Sequence, residues 1–186
     1  YLGTYKPSHR WTSWDVWIHK YDLIGLLSYY QFTKLANNDR PTPLGEESLA
    51  ACRKVGDLLI ATFGTETGKR DINKSGEHVG MAPDSVLEAI VLLYRATNEP
   101  RYLNFARYIV KNYDAPGGPA ILASLESKTN VRAVANGKAY EMTSNFNGLL
   151  ELYRVTGEKR LLDLMKIAWE DISRNRLYPT GSASSG

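Results

Sequence analysis

The stretch LYRATNEPRYL at residues 93–103 carries the pattern that decides the fold. A second stretch, LYRVTGEKRLL at residues 152–162, aligns with the first without a gap. A looser copy starts as YYQFT at residues 29–33 and continues through a longer, proline-containing link. Recurrence of one pattern along a chain indicates a repeat architecture in which each copy is one supersecondary unit. We therefore predict three tandem units.

Each unit is predicted to be a helix, a tight turn and a second helix, because apolar residues recur at helical spacing. Pro100 suits the first turn of a helix, where its missing N–H has no partner to lose. Gly157 suits a helix end that needs a positive φ. The predicted first helices cover residues 14–34, 83–97 and 140–156, and the predicted second helices cover residues 46–63, 100–113 and 159–174.

The first and second helices differ in the width of their apolar face. The last helix has one apolar stripe opposite charged residues, which is typical of an outer helix with one face in water. The first helices are apolar on more than one face, which is typical of burial on both sides. Alternating inner and outer helices predict an all-α fold of the α/α-toroid kind. The stripe of the last helix consists of Leu161, Leu162, Met165, Ala168, Trp169 and Ile172.

The segment at residues 115–138 lacks clear periodicity. The run PGGP at residues 116–119 excludes a helix there. Residues 130–134 (NVRAV) are rich in β-branched side chains and predict a short strand. A long loop in a compact domain often has a function.

Composition excludes several classes of protein. The net charge is +3 and the basic residues are scattered, whereas a nucleic-acid binder shows a basic patch. Apolar runs are too short to cross a bilayer. The single cysteine, Cys52, excludes an internal disulfide and is predicted to be buried. No spacing of His, Cys or carboxylate residues predicts a metal site. The chain starts without methionine and ends in the polar run 182–186, so we interpret it as a segment of a longer protein.

Three segments at the starts of the inner helices, residues 11–21, 77–88 and 137–147, are unusually rich in aromatic and ionisable residues. Burying an unpaired polar group costs about 1–3 kcal/mol, so such groups at matching repeat positions predict a shared polar cavity. Indole rings beside carboxylates and amides suit a sugar, which has apolar C–H faces and polar edges. The alternatives are that Trp14 and Trp17 are core residues, that His19 is a buried core histidine, and that His78 is solvated.

Glycoside hydrolysis usually requires two carboxyl groups that flank the scissile bond. Four carboxylates are candidates, but the sequence does not pair them. One of them, Asp84, has the alternative role of a negative charge at a helix N-terminus. The four candidates are Asp15, Asp84, Glu88 and Glu141.

Several motifs together resemble one enzyme family. The first is Trp-x-x-x-x-His-Lys at residues 14–20, and the second is Gly-Met-Ala at residues 80–82. GKAYEM at residues 137–142 leads into GLLELYR at 148–154, and LYPTG follows at 177–181. In combination they resemble the β-L-arabinofuranosidase-like glycoside hydrolases, family 127 and its relatives.

The resemblance implies an (α/α)6 catalytic domain, of which residues 1–186 would supply three tandem helical hairpins, about half of the toroid. It implies hydrolysis of terminal sugar residues, often L-arabinofuranose, on plant or bacterial glycans. His19 matches a sugar-contacting position, and Lys138 stands where some relatives have histidine. The residues expected to bind substrate are Trp14, His19, Lys20, Glu88, Lys138 and Glu141.

The resemblance also implies that the acid/base glutamate and a zinc-bound cysteine nucleophile lie outside this segment. We therefore expect no catalytic residue and no cofactor here, with zinc in the full-length protein, and an inactive isolated segment. The expected partners are carbohydrate and either the rest of the parent chain or a second copy across the apolar inner face, but neither nucleic acid nor membrane. The expected location is periplasmic or extracellular.

Two other functions are compatible with the same pattern. One is a different toroid enzyme, such as a sugar epimerase or a polysaccharide lyase, because a fold does not determine a function. The other is a non-catalytic helical module that binds protein.

Overall fold

The computed structural model describes residues 1–128 and 130–182, so most of the polar run at the C-terminal end lies outside it. Within these residues the chain is helical and contains no strand, and Phe63 and Arg70 form an isolated bridge. The all-α prediction is confirmed. The α-helices are α1 (Asp15–Ala36), α2 (Pro43–Thr62), α3 (Met81–Asp84), α4 (Leu87–Thr97), α5 (Pro100–Asn112), α6 (Ile121–Glu126), α7 (Ala139–Thr156) and α8 (Lys159–Asn175).

The two close copies of the repeat end their first helices in the same way. The Thr97 hydroxyl donates to the Leu93 carbonyl oxygen at 2.8 Å, and the Thr156 hydroxyl donates to the Leu152 carbonyl oxygen at 2.8 Å. Gly157 ends α7 with a φ of 70°, as predicted. Hydroxyl bonds to the helix backbone therefore explain why threonine recurs at this position.

The predicted helix over 83–97 is wrong at its start, where the chain forms α3 and α4 separated by a tight turn. The Ser85 hydroxyl donates to the Ala82 carbonyl oxygen at 2.7 Å. The Val86 N–H donates to the Pro83 carbonyl oxygen at 3.2 Å, three residues back rather than four. The local bonds of this serine compete with the helical ladder and break the helix after Asp84.

The predicted strand at residues 130–134 is also wrong. Val131–Ala133 form a short 3-10 helix, and the Asn130 side-chain oxygen accepts a hydrogen bond from the Arg132 N–H at 2.9 Å. An asparagine that bonds the backbone two residues ahead favours a turn over an extended strand. The preceding segment contains α6, which the sequence did not predict because six residues are too few to show a helical period.

The helices pack in two layers. Helix α4 lies between α1 and α7, and α2, α5 and α8 each pack against the helix that precedes them in their repeat. Helix α4 is the most enclosed, and its fully buried side chains are Leu87, Ala89, Ile90, Val91 and Leu93.

Helix α8 is an outer helix with one buried stripe, as predicted. The stripe differs from the prediction at Trp169, which is 64% exposed. Leu164, which is not part of the predicted stripe, is buried. Among the residues that the structure describes, no helix combines the length and apolarity needed to cross a membrane.

Two glycines test whether the contact between α7 and α4 holds the inner layer together. A Cβ atom on Gly148 would lie 2.9 Å from the Glu88 backbone nitrogen, whereas nothing lies within 4 Å of a Cβ atom on Gly25. We expect Gly148→Ala to lower the free energy of unfolding by about 1–3 kcal/mol, because the backbones must separate. We expect Gly25→Ala, the matched control within α1, to raise it by about 0.5–1 kcal/mol.

Urea denaturation followed by circular dichroism measures both changes. Equal stability of Gly148→Ala and the unmodified chain would show that the two helices do not depend on this close approach.

Candidate functional site

The three segments that were predicted to share a cavity do lie together. The Lys20 ammonium lies 3.7 Å from a Glu88 carboxylate oxygen, which joins α1 to the start of α4. The ring centroids of Trp17 and Tyr140 lie 5.3 Å apart, which joins α1 to the start of α7. The inner-helix starts therefore form one site, which we call the inner-end cluster. It consists of Trp14, Trp17, Lys20, Tyr21, His78, Glu88, Asn136, Tyr140 and Glu141.

Aromatic rings form one layer of the inner-end cluster. The Trp17 ring centroid lies 5.7 Å from that of Trp14 and 5.5 Å from that of Tyr21. The hydroxyl oxygens of Tyr21 and Tyr140 lie 2.6 Å apart. Because α1 and α7 lie on opposite sides of α4, these side chains meet in front of the start of α4. The side chains of α1 and α7 therefore cover the start of α4.

Lys20 lies beneath the aromatic layer and is almost fully buried. Its ammonium lies 4.7 Å from the Trp17 ring centroid and 5.1 Å from that of Tyr21. Burial lowers the pKa of Lys20, while Glu88 and, more weakly, Glu141 oppose this change. Burial likewise raises the pKa of Glu88, against the attraction of Lys20. A lysine between aromatic faces and carboxylates can donate hydrogen bonds to a polar ligand that replaces part of its lost hydration.

His78 is half-buried and belongs to the inner-end cluster, so its interpretation as a solvated loop residue is wrong. Its ring centroid lies 5.5 Å from that of Trp14, and its Nδ1 lies 3.0 Å from the side-chain nitrogen of Asn136. Its Nε2 lies 3.9 Å from a carboxylate oxygen of Glu141, which is itself 3% exposed. No sequence signal predicted this placement, since it depends on an asparagine far along the chain.

A strained turn aims His78 into the cluster. The φ angles are 57° at both His78 and Val79 and 85° at Gly80. A positive φ is unusual for a β-branched residue, and strain of this kind costs about 1–3 kcal/mol and occurs mostly at functional sites.

His19 faces a different part of the molecule. Its ring lies 5.4 Å from that of Trp11 and 4.9 Å from that of Tyr1, and it is fully buried. Its Nδ1 donates to the Asp15 carbonyl oxygen at 2.8 Å, while its Nε2 has no hydrogen-bond partner in the part of the chain that the structure describes. Asp15 accepts hydrogen bonds from the Tyr1 hydroxyl at 2.5 Å and the Trp11 N–H at 2.7 Å. The structure therefore separates His19 from Lys20 and Glu88.

Lys138 borders the cluster through its backbone, whose N–H donates to the Asn136 side-chain oxygen at 3.4 Å. It is exposed at the start of α7, and its ammonium forms no ion pair within residues 1–128 and 130–182. Its predicted role in sugar binding stays a prediction.

Of the four candidate carboxylates, Glu88 and Glu141 belong to the inner-end cluster and Asp15 and Asp84 do not. Asp84 is fully buried at the end of α3, and neither of its carboxyl oxygens has a hydrogen-bond partner among the described residues. Burial, together with the negative charge of Asp71, raises the pKa of Asp84 well above its ordinary value. A raised pKa disfavours the charged form, which weighs against the alternative role of Asp84 as a negative charge at a helix N-terminus.

The part of the chain that the structure describes shows no cluster of metal-ligating side chains. Residues 1–128 and 130–182 contain no group of three or more His, Cys, Asp or Glu side chains that could hold a metal ion. Cys52 is buried, as predicted, and burial raises the pKa of its thiol to about 12. These residues therefore do not fit zinc, and the zinc of the full-length protein stays a prediction.

The largest cavity described lies beside the inner-end cluster rather than in it. It has a volume of about 660 Å³ and lies between the N-terminal segment and α1, with Tyr21, Asp22 and Gly25 in its wall. Tyr21 is the residue that it shares with the cluster.

Comparison with known proteins identifies the class to which this helical chain belongs. The chain belongs to the family described as β-L-arabinofuranosidase, GH127 catalytic domain, whose model matches residues 1–186. The resemblance inferred from the motifs is confirmed. The chain is similar to the non-reducing end β-L-arabinofuranosidase of Bifidobacterium longum subsp. longum. The two are 29% identical over 161 residues, which cover 75% of this chain and 23% of that relative.

Asp84 gives a test of the buried carboxyl group. Because its pKa in the folded state is raised above the ordinary value of 3.8, its stabilising contribution is complete below pH 3.8 and is lost as the pH rises through the folded-state pKa. We expect the unfolding free energy of the unmodified chain to fall, relative to that of Asp84→Asn, between pH 4 and pH 8.

Urea denaturation at both pH values measures this difference, with Asp163→Asn on the exposed face of α8 as the control that leaves the pH dependence unchanged. An equal pH dependence in Asp84→Asn and the unmodified chain would contradict a buried, uncharged carboxyl group.

Proposed function

We propose that this chain forms part of the catalytic domain of a glycoside hydrolase that removes terminal, L-arabinofuranoside-like sugar residues from plant or bacterial glycans. Its role is to supply part of the sugar-binding cavity. The observation that carries this proposal is the inner-end cluster, in which aromatic rings cover a buried lysine and two carboxylates in a member of the GH127 family.

The chemistry of the cluster suits a sugar ring. Trp14 and Trp17 are partly exposed, so an apolar C–H face can stack on either indole. The Glu88 side chain is 22% exposed and can accept hydrogen bonds from sugar hydroxyl groups, while the buried Lys20 lies 3.7 Å from Glu88 and holds it from beneath. A mostly apolar wall with a few fixed polar groups is the usual design of a small-ligand site.

We assign no catalytic residue to this chain. Glu88 and Glu141 share the cluster, but their pairing across a glycosidic bond has no support in a bound ligand. We expect the purified chain to release no arabinose from an aryl β-L-arabinofuranoside, and we place the acid/base, the nucleophile and any zinc in the rest of the full-length protein. On the basis of the family alone, we propose a periplasmic or extracellular location.

We also propose that the inner layer continues into an (α/α)6 toroid, in which the three helix pairs α1–α2, α4–α5 and α7–α8 are three of six hairpins. The free side of α1 supports this, because Phe32 is 64% and Leu35 is 80% exposed there. Exposed apolar side chains on one helix face indicate an interface. The proposed occupant is a further helix of the same full-length protein, and a stable dimer in light scattering would assign the face to a second copy instead.

Trp14 tests sugar binding directly. We expect Trp14→Leu to weaken the binding of methyl β-L-arabinofuranoside at least about tenfold, a loss of about 1.4 kcal/mol, because the stacking face is removed. Trp169→Leu is the matched control, since Trp169 is exposed on the outer helix α8.

Isothermal titration calorimetry measures both dissociation constants. Unchanged binding in Trp14→Leu, or equal losses in the two variants, would contradict a sugar site at the inner-end cluster.

A further inference from the structure

His78 and Glu141 face each other across a gap that a direct hydrogen bond does not close. The Nε2 of His78 lies 3.9 Å from Oε1 of Glu141, whereas hydrogen bonds from N–H to oxygen span about 2.7–3.2 Å. The Glu141 side chain is 4% exposed, and its other oxygen, Oε2, has no hydrogen-bond partner within residues 1–128 and 130–182. Leaving a buried carboxylate short of hydrogen bonds is costly, so a donor placed in the gap beside Oε1 would relieve part of that cost.

The contacts of His78 identify which ring nitrogen carries the proton. The side-chain nitrogen of Asn136 lies 3.0 Å from Nδ1, and an amide nitrogen only donates hydrogen bonds. Nδ1 therefore accepts, and in the neutral ring the proton is on Nε2, the nitrogen that faces Glu141. The gap is thus bounded by a donor on one side and an acceptor on the other.

We propose that a sugar hydroxyl group bridges His78 and Glu141, so that this pair selects a terminal sugar by one particular hydroxyl. A hydroxyl accepts from Nε2–H and donates to the carboxylate, which no purely donating or purely accepting group does. Trp14, whose ring lies 5.5 Å from that of His78, offers an apolar face to the same sugar. This proposal rests on the sugar-binding function proposed above, and it adds the two residues that recognise one hydroxyl group by hydrogen bonding.

The pair is held in place by elements far apart in the chain. The turn at 78–80 has three successive positive φ angles, and Asn136 fixes the histidine ring from the loop before α7. Glu141 projects from the first turn of α7, whose Asn145 is anchored by a hydrogen bond from its side-chain nitrogen to the Met81 carbonyl oxygen at 2.8 Å. Strain and anchoring together preorganise the pair, which reduces the cost of ordering it when a ligand binds.

Binding of methyl β-L-arabinofuranoside and of its monodeoxy analogues tests the proposal by calorimetry. We expect His78→Phe, which keeps an aromatic ring against Trp14, and Glu141→Gln each to weaken binding of the parent sugar about tenfold. We expect the double variant to lose much less than the product of the two losses, because both residues hold one hydroxyl. His9→Phe and Glu47→Gln, two exposed positions, are the matched controls.

The analogues give a second readout. Its first part uses the unmodified chain and therefore does not depend on how the variants fold. One monodeoxy analogue should bind about tenfold more weakly than the parent sugar, and His78→Phe should bind that analogue as well as the unmodified chain does. If the chain binds the sugar but no analogue shows this pattern, only water fills the gap and the proposal is overturned. If the unmodified chain binds no sugar at all, both this proposal and the proposed function are wrong.

Discussion

The close approach of α7 to the start of α4 is the contact on which the site depends. Gly148 lies against Leu87 and the backbone nitrogen of Glu88, where no side chain fits. Glu141 lies seven residues earlier on α7, two turns along the same face. The contact at Gly148 therefore also determines how deeply the Glu141 side chain is buried. Because α4 packs against α1 on its other side, the same contact brings Lys20 within 3.7 Å of Glu88. Helix packing at one glycine therefore determines the positions of both carboxylates.

Unpaired polar groups at this end of the fold oppose its stability. Glu141 has a buried oxygen without a partner, and Lys20 is buried beneath aromatic rings at an ion-pair distance too long for a strong hydrogen bond. Replacing a buried ion pair by apolar residues is often neutral or stabilising, so such pairs are weak evidence for a stabilising role. Their gathering at the inner-end cluster, beside the partly exposed Glu88 and His78, instead favours ligand binding. Asp84 lies outside this cluster and carries no such implication.

The sequence predicts the helices well where the pattern is local. The recurrence of Leu-Tyr-Arg-x-Thr reflects threonine hydroxyl bonds and a helix end that both copies share, and Pro100 begins α5 as expected. The errors arise where a side chain competes with the backbone ladder. Ser85 breaks the predicted second inner helix, and Asn130 turns a β-branched run into a 3-10 helix.

The sequence predicts where the candidate site lies, but not which residues belong to it. Matching repeat positions were sufficient to predict that the three inner-helix starts meet. Helical phase separates His19 from Lys20, since neighbouring residues point about 100° apart around a helix and so face different surroundings. His78 was missed because its position depends on a run of positive φ angles and on Asn136, neither of which a local pattern encodes.

We propose that the inner-end cluster is the surface that binds sugar. Chemical-shift mapping of the backbone amides during titration with L-arabinose tests this proposal. We expect the shifted amides to lie at residues 14–21, 77–88 and 136–141. Shifts confined to the opposite end of the inner helices, in the groove that includes Leu35, Leu92 and Arg95, would contradict it.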